Sequence, residues 1–334
     1  MSSLMRNGLM RNRLVPDGPI SNDDASNNHV PKNPGFPPIR RLGADDLRDC
    51  ATLAVDRGWW PERAKWSLLL AASDAYGVDA PDGQGLAGTV ALTRWGADRA
   101  AIGMMLVASR YGGRGLGRTL MEHALRAAGE GTAVWLFATD AGRPLYDKLG
   151  FKPVRRSVAF RGHFHLNAPT SKGRKSEARA EAAGSPGSVR VATEADLPAI
   201  LTLDRAAYGA DRGRILTRLP AFAERIVVLE ADEADEASGG IVGYAAAWRT
   251  EAYTMIGPLV APDGAAARRL VTELAAHSTV AVRLDLDPDR PELPDWARAH
   301  GLEPTERTVV MTTGDLTPRG RPERLFTPIS VAAA

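Results

Sequence analysis

Residues 101–121 read AIGMMLVASRYGGRGLGRTLM, in which an apolar segment runs through a glycine-rich loop into a helical pattern. The apolar segment 101–108 has the composition of a buried strand, and the residues after the loop repeat apolar side chains at helical spacing. The loop contains the glycines Gly112, Gly113, Gly115 and Gly117. Glycine permits a tight turn with exposed backbone N–H groups, and a helix N-terminus adds further donors and a positive dipole end. The stretch therefore predicts a cradle for an anion such as a pyrophosphate.

Two common nucleotide-binding patterns fail in this loop. A dinucleotide fingerprint requires G-x-G-x-x-G, but Arg118 stands at its sixth position when counting starts at Gly113. A Walker A loop requires G-x-x-x-x-G-K-[ST]; the span from Gly112 to Thr119 has this spacing, but Arg118 replaces the lysine. No strand ending in Asp stands out to hold magnesium. A merely flexible turn is the plain alternative, although four glycines in six residues exceed what a turn needs.

The segment VASRYGGRGLGRTLMEHAL resembles the coenzyme A loop of the GNAT acetyltransferase superfamily, whose pattern is [RQ]-x-x-G-x-[GA] between its fourth strand and third helix. Gly115 and Gly117 match the last two defined positions, and Gly112 stands in place of the first Arg or Gln. Downstream, LFATDAGRPLYDKLGF (136–151) resembles the later family motif in which a Leu-Tyr pair precedes Gly-Phe. The two motifs follow one another in the family's order.

The resemblance implies acetyl-CoA as co-substrate and no metal. In the family, the backbone at the end of the fourth strand pairs with the pantetheine arm, and a main-chain N–H there polarises the acetyl carbonyl. Arg114 and Arg118 would add charge-assisted contacts to the pyrophosphate. The implied coenzyme site comprises Leu106, Val107, Ala108, Gly112, Gly113, Arg114, Gly115, Leu116, Gly117, Arg118 and Thr119.

Tyr146 aligns with the family tyrosine that lies beside the sulfur, so the resemblance implies that its hydroxyl donates a proton to the departing thiolate. The alternative is a helix tyrosine that packs its ring in the core. A general base is not assigned, because the strand segment AIGMMLVAS has no ionisable side chain. Asp98 and Asp140 are the nearest carboxylates, and a water chain is the alternative.

The acceptor site is expected near the first helical region, which borders it in this superfamily. Trp59, Trp60 and Trp66 fall there and are candidates for an apolar or cation-binding wall, with Asp140 as a further substrate-binding candidate. The same tryptophans also suit a core.

The chain consists of two weak copies of one pattern. Each copy opens with a strand, a polar turn and a helix, as in IRRLGADDLRDCATLAVDRG and VRVATEADLPAILTLDRAAYG, and each ends on a strand. Strands interleaved with helices predict an α+β (mixed α/β) fold with two domains, each a mixed, mostly antiparallel sheet flanked by helices. Composition predicts a disordered tail at 1–38 and a linker at 167–188. The resemblance implies a catalytic domain at 39–166 and a divergent GNAT-like domain at 189–334.

The second copy lacks both catalytic motifs. Only Gly264 remains of the loop, and counting back from Gly301 places Ala297 at the tyrosine position. This copy is expected to bind the coenzyme poorly and to complete the acceptor pocket by packing against the first copy.

Composition excludes several classes of protein. The chain has 334 residues with 42 basic and 40 acidic side chains, a balance that does not favour nucleic acid. It has one cysteine, which excludes an intrachain disulfide, and no apolar run near the ~20 residues of a membrane span. The N-terminus has no continuous apolar stretch, so a secretory signal is not expected. A cytoplasmic protein without a membrane or nucleic-acid partner is the expectation, with the oligomeric state open.

The predicted function is an acetyl-CoA-dependent N-acetyltransferase that acts on the amine of a small metabolite. Two alternatives stay open: a non-catalytic acyl-CoA-binding sensor or regulator, and a protein acetyltransferase for lysines or N-termini.

Overall fold

A computed structural model describes residues 35–166, 187–231, 240–317 and 319–333. Most of the predicted tail (1–38) and of the predicted linker (167–188) lies outside these described residues. No helix in the described ranges is both long enough and apolar enough to cross a membrane.

The first half follows the predicted alternation of strands and helices. Its strands are β1 (Arg40–Arg41), β2 (Asp74–Asp79), β3 (Leu86–Trp95), β4 (Arg99–Val107), β5 (Ala133–Ala138) and β6 (Lys152–Gly162). Its helices are α1 (Leu47–Asp56), α2 (Arg63–Ala72), α3 (Leu116–Ala128) and α4 (Arg143–Lys148). Short 3-10 turns lie at Ala44–Asp46 and Ser109–Tyr111.

The second half repeats this order. Its strands are β7 (Val189–Val191), β8 (Arg225–Glu230), β9 (Ile241–Arg249), β10 (Thr254–Val260), β11 (Val282–Leu286), β12 (Glu303–Thr312) and β13 (Leu325–Thr327). Its helices are α5 (Leu197–Tyr208), α6 (Gly213–Leu216), α7 (Leu219–Phe222), α8 (Gly264–Ala275) and α9 (Glu292–Ala299). Further 3-10 turns lie at Glu194–Asp196 and Pro322–Arg324.

A duplicated ion-pair cluster marks the repeat at the start of each half. Arg40 binds Asp46 at 2.7 Å and Asp79 at 2.8 Å, so that it ties β1 to the first turn and to β2. Arg190 binds Asp196 and Glu230, both at 2.7 Å, in the corresponding places. Each aspartate also accepts the backbone N–H three residues before it, which caps the following turn.

One continuous sheet contains the described strands of both halves, in the order β1-β2-β3-β4-β5-β12-β6-β11-β10-β9-β8-β7, with β13 paired to β10. The sequence predicts a separate sheet in each domain, but in the structure the last long strand of each half lies in the sheet of the other half. Strand β12 of the second half pairs with β5, and β6 of the first half pairs with β11. β6 and β12 also pair with each other. The exchange joins the halves through backbone hydrogen bonds, which are largely independent of side-chain identity.

Helix α3 shows how local pattern and packing agree in the first half. Its buried residues recur at helical spacing, as Leu116, Leu120, Ala124 and Ala128. They pack onto β3 so closely that a Cβ on Gly88 would lie 2.8 Å from Leu120. This packing fixes the start of α3 beside the end of β4.

Candidate active site

Strands β4 and β5 separate before they end. They pair in parallel only over 99–102 and 133–136, although β4 continues to Val107 and β5 to Ala138. Among the described residues, no strand pairs with the edge of 103–107 that this separation opens. The backbone there is free to pair with an extended ligand, because strand edges present alternating N–H and C=O groups.

A β-bulge lies at the point where β4 leaves β5. Met104 has a left-handed backbone with φ of 47°, and the register between β3 and β4 shifts between Thr89 and Ala91. The Thr89 hydroxyl holds the bulge by donating to the carbonyl of Met104 at 2.9 Å. A bulge reverses which backbone groups face the partner strand, so it re-aims the groups that follow it. Sequence reasoning missed this residue, since methionine gives no signal for a positive φ.

The glycine loop ends in an uncapped helix. Gly113 and Gly115 have φ of 73° and 81°, a conformation that favours glycine, and Gly115 precedes the first residue of α3. No side chain caps this helix start, and residues 112–115 are exposed. The first N–H groups of α3 therefore have no side-chain acceptor, and the positive end of the helix dipole lies beside the exposed loop.

Gly117 connects the helix start to the opening. A Cβ built on it would lie 3.2 Å from Met105 Cε, 3.5 Å from Val107 Cγ2 and 3.5 Å from Leu145 Cδ2. The first turn of α3, the end of β4 and α4 thus meet at this glycine. The structure brings the two sequence motifs together here.

The two predicted loop arginines differ in their partners. Arg118 binds Glu122 one turn along α3 at 2.8 Å. Arg114 lies 5.6 Å from the centroid of the Tyr111 ring and forms no ion pair with a described carboxylate. Arg114 is therefore the loop cation whose charge is available to a bound anion.

Tyr146 lies inside α4 with 7% of its surface exposed. Burial raises the pKa of its hydroxyl to about 12, so the hydroxyl is protonated at neutral pH. The hydroxyl forms no hydrogen bond to another residue in the described part of the chain, and the ring centroid lies 6.0 Å from that of Phe151. The hydroxyl proton is therefore not donated to any described residue.

The remaining predicted acceptor residues lie in different environments. Trp66 is fully buried in α2, whereas Trp59 and Trp60 are 42% and 52% exposed between α1 and α2. Trp66 has no open face for a ligand. Asp140 is exposed after β5, and Asp98 is held by Arg319 at 2.6 Å.

In the second half, a side-chain carboxylate caps the corresponding helix start. Asp263 precedes α8 and accepts the N–H of Ala266 at 2.8 Å. Ala297 occupies the position of Tyr146: Leu302 donates to its carbonyl at 3.0 Å, as Phe151 donates to that of Tyr146 at 3.1 Å. The second half therefore lacks both the free helix start and the phenol.

The chain's own strand fills the opening in the second half. β10 pairs with β11 only at Thr254 and Met255, and its later residues Leu259 and Val260 pair with β13 instead. The edge that is open in the first half is thus occupied in the second. Sequence reasoning missed β13, because three residues carry no recognisable strand pattern.

Comparison with protein families gives one match in each half. The model of the GNAT acetyltransferase family matches residues 43–151, and the model of a GNAT acetyltransferase domain matches residues 200–327. The Bacillus subtilis (strain 168) protein described as the uncharacterized N-acetyltransferase YitH is 29% identical over 196 residues. That match covers 58% of this chain and 63% of the relative, which is less than two thirds of the relative's length.

Solved structures show the same architecture. A Pyrococcus horikoshii protein, provisionally described as an acetyltransferase, superposes with a TM-score of 0.71 at 17% identity, over 92% of this chain and 99% of that one. A tandem GNAT protein from the clavulanic acid biosynthesis pathway superposes with a TM-score of 0.54 at 17% identity, over 84% and 99%. At these identities the likeness concerns the fold alone. With a family match in each half and this shared fold, the chain belongs to the GNAT acetyltransferase superfamily and contains two of its domains.

Proposed function

We propose that the first half transfers an acetyl group from acetyl-CoA to the amine of a small metabolite. The observation that carries the proposal is the meeting at Gly117 of an open strand edge, an uncapped helix start and helix α4, which carries the buried Tyr146. Catalysis is assigned to residues 39–166, and the domain at 189–334 is assigned a supporting role.

The residues present fit coenzyme A on chemical grounds. The N–H groups from Gly113 to Arg118, with Arg114, suit the negative charge of a pyrophosphate, whereas the N–H of Thr119 donates to the carbonyl of Gly115 at 3.1 Å. The free edge of 103–107 suits an extended arm with amide groups, which would pair with it as a strand does. When bound, acetyl-CoA supplies an acetyl group activated as a thioester.

The protein's own groups then have distinct tasks. A backbone N–H group at 106–107 stabilises negative charge on the carbonyl oxygen as the amine attacks. The N–H of Ala108 is not available for this, because it donates to the carbonyl of Ala87 at 2.8 Å. Tyr146 holds a proton that it gives to the sulfur when the carbon–sulfur bond breaks. Because Asp98 is paired with Arg319, Asp140 or water is left to accept the proton of the amine.

A turnover screen tests this proposal. Purified full-length protein is incubated with acetyl-CoA and amines, amino acids or aminoglycosides, and free thiol is measured together with the mass of the product. A product heavier by one acetyl group, formed with stoichiometric thiol release, supports the proposal. Thiol release at the same rate without any acceptor contradicts it.

An acyl-CoA-binding sensor is the second candidate. It is favoured by one observation, that the opened end of β4 carries no ionisable side chain. Tight binding of acetyl-CoA in calorimetry with no turnover across the screen would favour this candidate. Acetylation of lysines or N-termini of proteins is the third candidate, and acetylation of a peptide but of no small amine would favour it.

A further inference from the structure

An aromatic ring lies beside the unpaired cation of the glycine loop. Tyr111 ends the 3-10 turn that joins β4 to the loop, and it is 7% exposed. The guanidinium carbon of Arg114 lies 5.6 Å from the centroid of this ring. A guanidinium within about 6 Å of a ring centroid is attracted by the negative face of the ring. The ring therefore restrains the position of a charge that no described carboxylate neutralises.

The Tyr111 ring is itself held in place by its neighbours. Phe36 packs on it edge to face, with centroids 5.3 Å apart and ring planes at 83°. The backbone N–H of Tyr111 donates to the carbonyl of Ala108 at 2.8 Å, which fixes the turn that carries the ring. A side chain that is buried and packed in this way keeps one orientation, so it is a rigid support for a second side chain.

A second guanidinium lies near the ring, but its charge is neutralised. Arg110 lies 4.8 Å from the ring centroid, and its Nε donates to Asp82 Oδ2 at 3.0 Å. Hydrogen bonds, chiefly those from Arg110, lower the pKa of the Asp82 carboxyl to about 2, so Asp82 is ionised at neutral pH. Arg110 also donates to the carbonyl of Gln84 at 2.8 Å, which ties the turn to the connection between β2 and β3. Of these two guanidinium groups at Tyr111, that of Arg114 therefore keeps its charge for a ligand.

The other end of the turn is anchored to α1. The N–H of Ser109 donates to Asp56 Oδ2 at 2.6 Å, and its hydroxyl donates to the carbonyl of Asp56 at 3.1 Å. Arg57 is a further cation here; it donates to the Ser109 hydroxyl at 2.8 Å, so its guanidinium lies at the start of the turn. The turn is thus held at both ends, which fixes the direction in which the chain enters the loop.

Arg114 is the only residue of 112–115 with a side chain, because the other three are glycines. One of those glycines is Gly112, which stands where the pattern that the loop resembles has Arg or Gln. The first part of the loop therefore has one side chain with which to contact an anion, and that side chain lies by the Tyr111 ring. A charge that is held before binding loses less conformational freedom when the anion arrives, so the complex is more stable.

We infer that Tyr111 is a positioning residue of the coenzyme site, whose ring holds the Arg114 guanidinium where it binds the pyrophosphate. Arg114 thereby supplies the side-chain contact that Gly112 cannot make. The inference rests on the proposed function, which identifies the loop as the coenzyme site. Because Tyr111 acts through Arg114, removing its ring has an effect only while Arg114 is present.

A double-mutant cycle on the full-length protein tests this inference, with the affinity for acetyl-CoA measured by calorimetry. Arg114→Gln is expected to weaken binding by about ten- to a hundredfold, because a charge-assisted contact is lost. Tyr111→Leu is expected to weaken binding by about three- to tenfold. In the Arg114→Gln background, Tyr111→Leu is expected to change the affinity by less than about twofold. The same loss in both backgrounds means that Tyr111 only supports the loop, and it overturns the inference.

A conservative variant and a matched control sharpen the cycle. Tyr111→Phe keeps the ring and is expected to keep the wild-type affinity; a loss as large as in Tyr111→Leu overturns the inference. Arg126→Gln removes the same charge from an exposed position near the end of α3 and is expected to leave the affinity unchanged. A loss in Arg126→Gln equal to that in Arg114→Gln means that the charge acts only at long range, which also contradicts the inference.

Two further measurements keep the inference falsifiable if Tyr111→Leu does not fold. Arg114→Lys changes only an exposed side chain. Its ammonium keeps the charge but lacks the planar group that stacks on a ring, so binding is expected to weaken by about threefold. Unchanged affinity means that the charge acts without the ring and overturns the inference. Raising the ionic strength is expected to weaken binding to the wild type more than to Arg114→Gln, and equal salt dependence contradicts the role of Arg114.

The outcomes also separate this inference from the proposed function. If the wild-type protein binds no acetyl-CoA, the proposed function fails and this inference fails with it. If the wild type binds acetyl-CoA and transfers the acetyl group, while Tyr111→Leu and Arg114→Lys keep the wild-type affinity, only the inference about Tyr111 fails.

Discussion

A Cβ built on Gly103 would lie 1.8 Å from the carbonyl oxygen of Ala332. The backbone of the second half therefore rests directly on β4 of the first half, at the residue where β4 begins to leave β5. The corresponding glycine of the second half repeats the contact, since a Cβ on Gly257 would lie 2.1 Å from the carbonyl oxygen of Pro328. The segment 328–332 thus packs on the face of β4 at Gly103 and on the face of β10 at Gly257.

Gly103→Ala is expected to destabilise the protein by about 1–3 kcal/mol or more, because the clash is with backbone that a side-chain rotation cannot relieve. Thermal unfolding and proteolysis of the segment after β13 measure the effect. Gly112→Ala is the control, since its Cβ would meet nothing closer than 3.4 Å. Equal melting temperatures of the two variants would show that the contact is not tight.

Gly115→Val and Gly117→Val are each expected to abolish acetyl-CoA binding while the fold is kept. Valine at 115 is strained by a φ of 81°, and valine at 117 meets Met105 at 3.2 Å and crowds the helix start. Calorimetry measures the affinity. Gly264→Ala in the second half is the matched control and should leave both the affinity and a stoichiometry of one coenzyme per chain unchanged, because Asp263 and β13 already occupy that half's opening.

Tyr146→Phe is expected to lower kcat by about 10²–10⁴ with little change in coenzyme affinity or melting temperature. The substitution keeps the ring packed on Phe151 and removes only the hydroxyl, which donates no hydrogen bond to a described residue. Steady-state kinetics and thermal unfolding separate the two effects. Tyr76→Phe, whose ring packs on His123, is the control and should keep normal kcat. A near-normal kcat in Tyr146→Phe would mean that another acid protonates the sulfur.

Cys50 is expected to resist alkylation in the native state. It is fully buried, and burial raises the pKa of its thiol to about 12, so that only about one thiol in ten thousand is ionised at pH 8. Raising the pH toward 12 increases the thiolate fraction, and unfolding restores both access and an ordinary pKa. Mass spectrometry after iodoacetamide at pH 8, with and without denaturant, measures this. Rapid native labelling would contradict the buried placement.

The exchanged strands predict that neither half is stable alone. A fragment of residues 35–166 loses β12, which is one of the two partners of β5, and loses both partners of β6, so long strand edges are left unpaired. We expect it to aggregate or self-associate, and we expect co-expression with residues 187–333 to restore a one-to-one complex. Size-exclusion chromatography distinguishes these outcomes. A monomeric, cooperatively folding 35–166 fragment would count against the exchange.

The superfamily, the fold class and the glycine loop follow from the sequence alone, and the first two are confirmed. They depend on local pattern: the helical spacing of α3, the order of the two motifs and the polar turn that opens each half. The loss of the loop and of the tyrosine in the second half is likewise visible in the sequence, because both are defined by residue type at a fixed spacing.

Only the tertiary structure decided which strands pair across the halves. The patterns of β6 and β12 are compatible with either neighbour, because the hydrogen bonds of a sheet are made by the backbone. The filling of the second opening by β13, the bulge at Met104 and the burial of Trp66 also arise from contacts between residues far apart in sequence.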